Sequence, residues 1–187
     1  GTLFPETYAV EDGDTELDTV ALAAGRASTT TTLAPGSHSL TAQFIPESEQ
    51  WEASVSEPVL VEVAAAESTT SLRLSRSLAS YGTVTTATVT VEAEGAAPSG
   101  EVEIHSRDAV VATGTLEVDG HRGTAEVELP AGLPAGSHRL TAVYPGSAEV
   151  EGSSSRAVRY TVLPALPRMS ITTGPDRTVQ VAVQGRA

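Results

Sequence analysis

The sequence predicts an all-β protein made of small β-sandwiches, and three observations predict it. The block APGSHSLTAQF at 34–44 returns as PAGSHRLTAVY at 134–144, with Gly36/Gly136, Ser37/Ser137, His38/His138, Leu40/Leu140, Thr41/Thr141 and Ala42/Ala142 matching in one ungapped register. Elsewhere apolar residues alternate with period two over short runs separated by Gly, Pro and Asp, and no segment shows helical periodicity. Finally, the 187 residues are 40% hydrophobic but only 4% aromatic. A core of Ala and Val suits thin sandwiches better than one deep interior. The repeat recurs at domain spacing, so it sets the architecture.

Residues 67–166 carry the fullest pattern. A short strand is expected at 70–75 (TSLRLS) and a long one at 84–93, with Ala87, Val89, Val91 and Ala93 on one face. After a Gly/Ala/Pro turn, 101–106 points Val102 and Ile104 inward. Residues 109–118 hold one or two short strands ending at an Asp119-Gly120 turn. In 124–129, Ala125, Val127 and Leu129 face inward. The repeated strand follows, closed by the aromatic Tyr144 as Phe44 closes the first copy. Val158, Tyr160 and Val162 then end the unit. About seven short strands at intervals of roughly ten residues match an immunoglobulin-like sandwich.

Residues 1–66 overlay this unit from its third strand onward. Gly1-Thr2-Leu3-Phe4 matches Gly100-Glu101-Val102-Glu103, 26–33 falls opposite 123–130, and Val59, Val61 and Val63 match Val158, Tyr160 and Val162. Two strands are missing, and both recur after residue 166. Met169-Ser-Ile-Thr-Thr resembles Thr70-Ser-Leu-Arg-Leu, and TVQVAVQG at 178–185 resembles TVTVEAEG at 88–95. The expected organisation is therefore 1–66, a unit lacking its first two strands; 67–166, a complete unit; and 167–187, the two missing strands. Only Gly174-Pro175-Asp176 separates those last strands, so they could form a hairpin instead of lying on opposite sheets. Residues 64–69, without Gly or Pro, are expected to join the two units nearly end to end as a semi-rigid connection.

The runs SGEVEIHS and VDGHRGTAEVELPAGLPAGSHRLTAVYPGSAEVEGSSS, with the Val-rich strand that follows, resemble the tandem bacterial Ig-like repeats of secreted and cell-surface proteins. The resemblance covers 67–166 almost fully and 1–66 from the third strand. It implies tandem Ig-like sandwiches at the bacterial surface or outside the cell, serving as spacers, adhesive modules or structural subunits. The family often carries an Asp after its Tyr-x-Gly. Here the loops read Pro145-Gly-Ser-Ala and Pro46-Glu-Ser-Glu, so no calcium role transfers to them.

Composition narrows the functions. A formal net charge of −13 opposes nucleic acid and anionic membranes. No apolar run reaches the roughly 20 residues of a membrane span. There is no Cys, Lys or Asn, so disulfides, thiolate metal sites, isopeptide crosslinks and Asn-linked glycans are all excluded. The acidic run 11–18 offers a calcium candidate in Asp12, Asp14, Glu16 and Asp18, although its order is not that of an EF-hand. The competing reading is a solvated hairpin turn at Asp12-Gly13. His38 and His138 sit at equivalent turns, where orienting backbone is the expected role. No Gly-x-Ser-x-Gly elbow, phosphate loop or dinucleotide fingerprint is present, and neither catalytic residues nor a cofactor are expected. The hydroxyl-rich 28–32 and 153–155 could carry O-linked sugars or be plain surface. Trp51 is expected to pack under its own loop, the alternative being exposure for stacking on a sugar or a neighbour.

The resulting expectation is a structural protein, not an enzyme: an Ig-like subunit of an extracellular fibre, filament or stalk. Head-to-tail association would seat Met169, Ile171, Val179, Val181 and Val183 in a neighbour's incomplete unit, against residues including Leu3 and Phe4. The chain is alternatively an excerpt of a longer array, or its last strands fold back on its own first unit. The competing functions are an adhesin or carbohydrate-binding segment with a glycan or host-surface ligand, and an accessory fragment of a larger enzyme.

Overall fold

A computed structural model describes residues 7–23, 25–46, 49–173 and 179–184, without the side chains of Arg168, Val183 and Gln184. Every regular element among the described residues is a strand. The chain divides into two compact units, Gly1–Ala65 and Ala66–Ala187.

The second unit contains the complete sandwich. Its strands are β6 (Ser68–Leu74), β7 (Leu78–Ser80), β8 (Thr85–Ala93), β9 (Glu101–Ser106), β10 (Ala109–Thr115), β11 (Glu117–Asp119), β12 (Arg122–Leu129), β13 (Gly136–Tyr144), β14 (Ser153–Ser154) and β15 (Val158–Leu163). One sheet runs β10-β9-β13-β15-β7, with β14 on β13, and the other runs β11-β12-β8-β6. Their apolar faces share one core, in which Val89, Val91, Val102, Ile104, Leu140 and Ala142 are fully buried. These are the positions that strand alternation assigns inward. Tyr144 is buried as well, and its hydroxyl accepts from Ser99 N at 3.3 Å and donates to Ser99 O at 3.1 Å. Tyr160, also buried, meets the Thr85 hydroxyl at 2.9 Å.

Two short strands lie outside the sequence pattern. The three-residue β7 pairs in parallel with β15, and the two-residue β14 pairs with β13. Neither is long enough to show a period; β7 is held by a partner distant in sequence, and β14 by the strand just before it, across the 145–152 loop. Strand β7 also corrects one expectation. Strands β6 and β8 do not lie on opposite sheets; they pair antiparallel from Ser68↔Ala93 to Leu74↔Ala87. The residues between them carry β7 across to the other sheet.

Among the described residues the first unit is a single sheet. Its strands are β1 (Thr7–Asp12), β2 (Thr15–Ala21), β3 (Gly36–Ile45), β4 (Ser54–Val55) and β5 (Val59–Val63), in the order β2-β1-β3-β4 with β5 also on β3. Strand β3 meets β5 through Gly36↔Val63, His38↔Val61 and Leu40↔Val59. Strand β13 meets β15 through Gly136↔Val162, His138↔Tyr160 and Leu140↔Val158. The matching of Val59, Val61 and Val63 to the last strand therefore follows from the pairing too.

The start of the repeat is different. Tyr8 pairs with Phe44 and Asp12 with Leu40, as Ile104 pairs with Ala142 and Ser106 with Leu140. Strand β1 is thus the counterpart of β9, and Tyr8 stands where Val102 does. The overlay of Gly1-Thr2-Leu3-Phe4 on Gly100–Glu103 is displaced, because the first unit has fewer residues between this strand and the next repeated one. Leu3 and Phe4 themselves lie outside the described residues, as does the Gly174-Pro175-Asp176 turn.

Leu40, Ala42 and Phe44 are only half-buried, whereas Leu140, Ala142 and Tyr144 are buried. The expected burial of the first trio fails for a simple reason. The sheet that covers the second trio, β11-β12-β8-β6, has no counterpart among the described residues of 1–65. Residues 27–35, the counterpart of β12, carry no strand assignment. In the second unit that strand is held by β8 along its whole length, and the first unit has no such partner.

Three two-residue turns share one backbone feature. Gly13, Gly120 and Arg107 each have φ 59. Glycine adopts the left-handed region freely, whereas an L side chain is penalised there. Exchanging the exposed Arg107 for the residue at the equivalent Gly13, Arg107→Gly, is expected to stabilise the second unit by about 1 kcal/mol. A raised denaturation midpoint with unchanged slope would show it.

Last come β16 (Arg168–Thr173) and β17 (Val179–Gln184), which pair antiparallel as a two-stranded sheet. The hairpin forms without an intervening strand, and its register corrects the sequence match: Ile171 faces Val181 where Thr70 faces Val91, so Met169 stands for Ser68 and not for Thr70.

Candidate functional site: an open sheet and a free hairpin

Two parts of the chain leave apolar faces open among the described residues. On the hairpin, Ile171 faces Val181 across the ladder, and Thr173 faces Val179. One face therefore carries Met169, Ile171, Val179 and Val181, exposed by 68, 67, 62 and 55%. Their counterparts on β8, Val89 and Val91, are 0% exposed. Isolated two-stranded hairpins are marginal in water and gain stability by packing an apolar face. On the first unit, Tyr8, Val10 and Ala42 line a hollow of about 270 Å³, with Val20, Leu22, Gly25 and residues 27–29 around it. Tyr8 and Phe44 touch with ring centroids 5.3 Å apart.

Trp51 does not pack under its loop; it is 62% exposed. Its counterpart Val150 is fully buried because Ala66 bridges to it, with Ala66 N donating to Glu149 O at 2.9 Å. Among the described residues no bridge of this kind reaches Trp51.

The repeated histidines hold their turns. His38 Nε2 lies 2.7 Å from Ala34 O, and His138 Nε2 lies 2.8 Å from Pro134 O. Their other nitrogens differ. His138 Nδ1 lies 3.3 Å from the Ser106 hydroxyl, whereas His38 Nδ1 lies 2.6 Å from Asp12 Oδ2. A carbonyl and a carboxylate both only accept, so satisfying both requires His38 to carry two protons. The Asp12 hydrogen bond, then the Ala34 carbonyl, raise His38 above 6.5. The same imidazole, helped by the Ser39 amide, holds Asp12 below 3.8.

Linkage gives the sign. The His38 contribution is complete below pH 6.5 and fades as pH rises through its raised value. The Asp12 contribution is complete above pH 3.8 and fades as pH falls through its lowered value. The pair is therefore expected to support the first unit most between pH 3.8 and 6.5. Asp12→Ser, which copies Ser106, is expected to remove the part of the alkaline decline that this pair produces. Trp51 is the single Trp, so its fluorescence during thermal unfolding at several pH values reads this unit alone.

The remaining candidates have local roles. Asp12 is committed to His38 and Ser39, Glu16 accepts from Thr19 at 2.8 Å, and Asp18 accepts from Thr19 N and from the Thr29 hydroxyl. Asp14 is exposed. Among the described residues no three His, Asp or Glu side chains converge on a metal position. In the hydroxyl-rich 153–155, Ser153 meets Ser68 and Thr70 at 2.7 Å, tying the two sheets together. Ser155 Oγ accepts from Ala142 N at 2.9 Å, as Ser56 Oγ accepts from Ala42 N at 3.0 Å. This serine belongs to the repeat but was hidden from the sequence comparison by the differing loops before it.

A two-sheet sandwich, antiparallel but for β7, with a Tyr144-type anchor and preceded by a second copy of one of its sheets, defines a protein of immunoglobulin type. Residues 72–163 match the family model described as bacterial Ig-like domain (group 3). Over this module the chain is similar to bacterial Ig-like domains, of the kind found in cell-surface proteins. Among solved structures, the fibronectin(III)-like modules of Clostridium thermocellum CbhA are similar at 16% identity, with a TM-score of 0.43 over 88% of this chain and 81% of that one. No curated protein matches.

Proposed function

We propose that this chain is an extracellular structural subunit. Its Ig-like units form a surface fibre, filament or stalk, and neighbouring copies are joined by β-strand complementation. The observation that carries the reading is the exposed Met169/Ile171/Val179/Val181 face on a hairpin that has the ladder of β6–β8. The first unit of a second copy offers a sheet lacking that hairpin. Full burial of a Val, Ile or Met side chain is worth roughly 1.5–3 kcal/mol gross. Several such side chains, with a completed backbone ladder, can offset the cost of association. The contact is heterologous, so repetition extends a filament unless the rotation closes a ring. Removing 168–187 is the test, with loss of concentration-dependent assembly expected in sedimentation. Persistence of assembly would refute the proposal.

A further inference from the structure

We propose that residues 26–33 are the acceptor strand for β17 of a second copy, in the register that β12 keeps with β8. This rests on the complementation reading and specifies its geometry. In the second unit β8 is paired along both edges, with β6 on one side and β12 on the other. Strand β17 has β16 on one edge and, among the described residues, no strand on the other. Residues 27–33 have no ladder partner in their own unit. The two orphan edges are those that meet as β8 and β12 in the complete sandwich. Pairing them supplies ladder partners to the backbone groups of both.

The register follows from the turn before the acceptor. Ala23 bridges Arg26 across two residues, as Asp119 pairs with Arg122 across two. Counting onward, 26–33 falls on 122–129, one residue off the overlay on 123–130, so Thr29 stands where Ala125 does and Leu33 where Leu129 does. Thr29 and Leu33 are the half-buried members of 26–33, and the others are exposed. That is the parity of inward positions. On the donor side TVQV at 178–181 stands for TVTV at 88–91. The pairs Ala125↔Val89, Thr124↔Thr90 and Gly123↔Val91 become Thr29↔Val179, Ser28↔Gln180 and Ala27↔Val181. The β-branched run of four threonines at 29–32 is then a strand awaiting its partner. On the other edge of the hairpin, Ala66 lies two residues before Ser68 and bridges Val150. Two residues before Met169 is Pro167, which this docking brings to Trp51.

The chain has no cysteine, so engineered thiols report the register directly. Ser28→Cys and Gln180→Cys are placed in separate full-length chains, mixed and oxidised. A disulfide-linked dimer is expected at roughly tenfold or more the yield of an Ala27→Cys plus Gln180→Cys mixture, whose thiols project from opposite faces. Equal yields from assembled protein would overturn the register while leaving complementation standing. Absence of assembly in every mixture would overturn complementation itself. A disulfide at monomer mass in one chain carrying both Ser28→Cys and Gln180→Cys, with no dimer from the mixture, would show the hairpin returning to its own chain and would overturn the second-copy occupant.

Discussion

Leu140→Ala is expected to destabilise the second unit by about 2–5 kcal/mol, the cost of truncating a fully buried leucine whose cavity cannot collapse. Leu140 is 0% exposed and lies in one core with Val89, Val102, Ile104 and Ala142. Both sheets contribute to that core, so the loss falls on the contact between them. The same change at the repeat-equivalent position, Leu40→Ala, is expected to cost no more than about half as much in unassembled protein, because Leu40 is only half-buried. Denaturant unfolding followed by circular dichroism and by Trp51 fluorescence separates the two units. An equal cost at both positions would mean that the first unit has a covering layer after all.

Deleting 168–187 is expected to leave a chain that stays monomeric at concentrations where the full chain assembles. Its first unit should melt early, with Trp51 and the Tyr8/Phe44 face open to water. The same segment supplied as a peptide should bind, shift the Trp51 emission and raise that melting temperature. At a peptide concentration about 100 times its Kd, the gain is about 2.7 kcal/mol by mass action. Sedimentation velocity and Trp51 fluorescence check both parts. If the deleted chain still assembles, or the peptide leaves the first unit unchanged, the hairpin is not the connector.

The sequence alone determined the fold class, the repeat and nearly every long strand, because a half-buried strand records its two faces directly in the alternation of its residues. TTATVTVEA could be read as a core strand without knowing what covers it, and β8 buries those alternate positions. It also showed that Met169, Ile171, Val179 and Val181 repeat a core pattern. Alternation, however, says which face is apolar and not whether a second sheet lies on it. Only the tertiary structure decided that Leu140 is buried while Leu40 is half-open, that Trp51 is exposed, and that β12 is a strand while its counterpart at 27–35 is not. Short β7 and β14 escaped for the same reason, since pairing with another strand, and no local period, makes them strands. The Asp12–His38 pair likewise needed the register of β1 against β3, which brings residues 26 apart in sequence within 2.6 Å. Burial and pairing are properties of two segments at once, and a pattern within one segment carries only its own half of them.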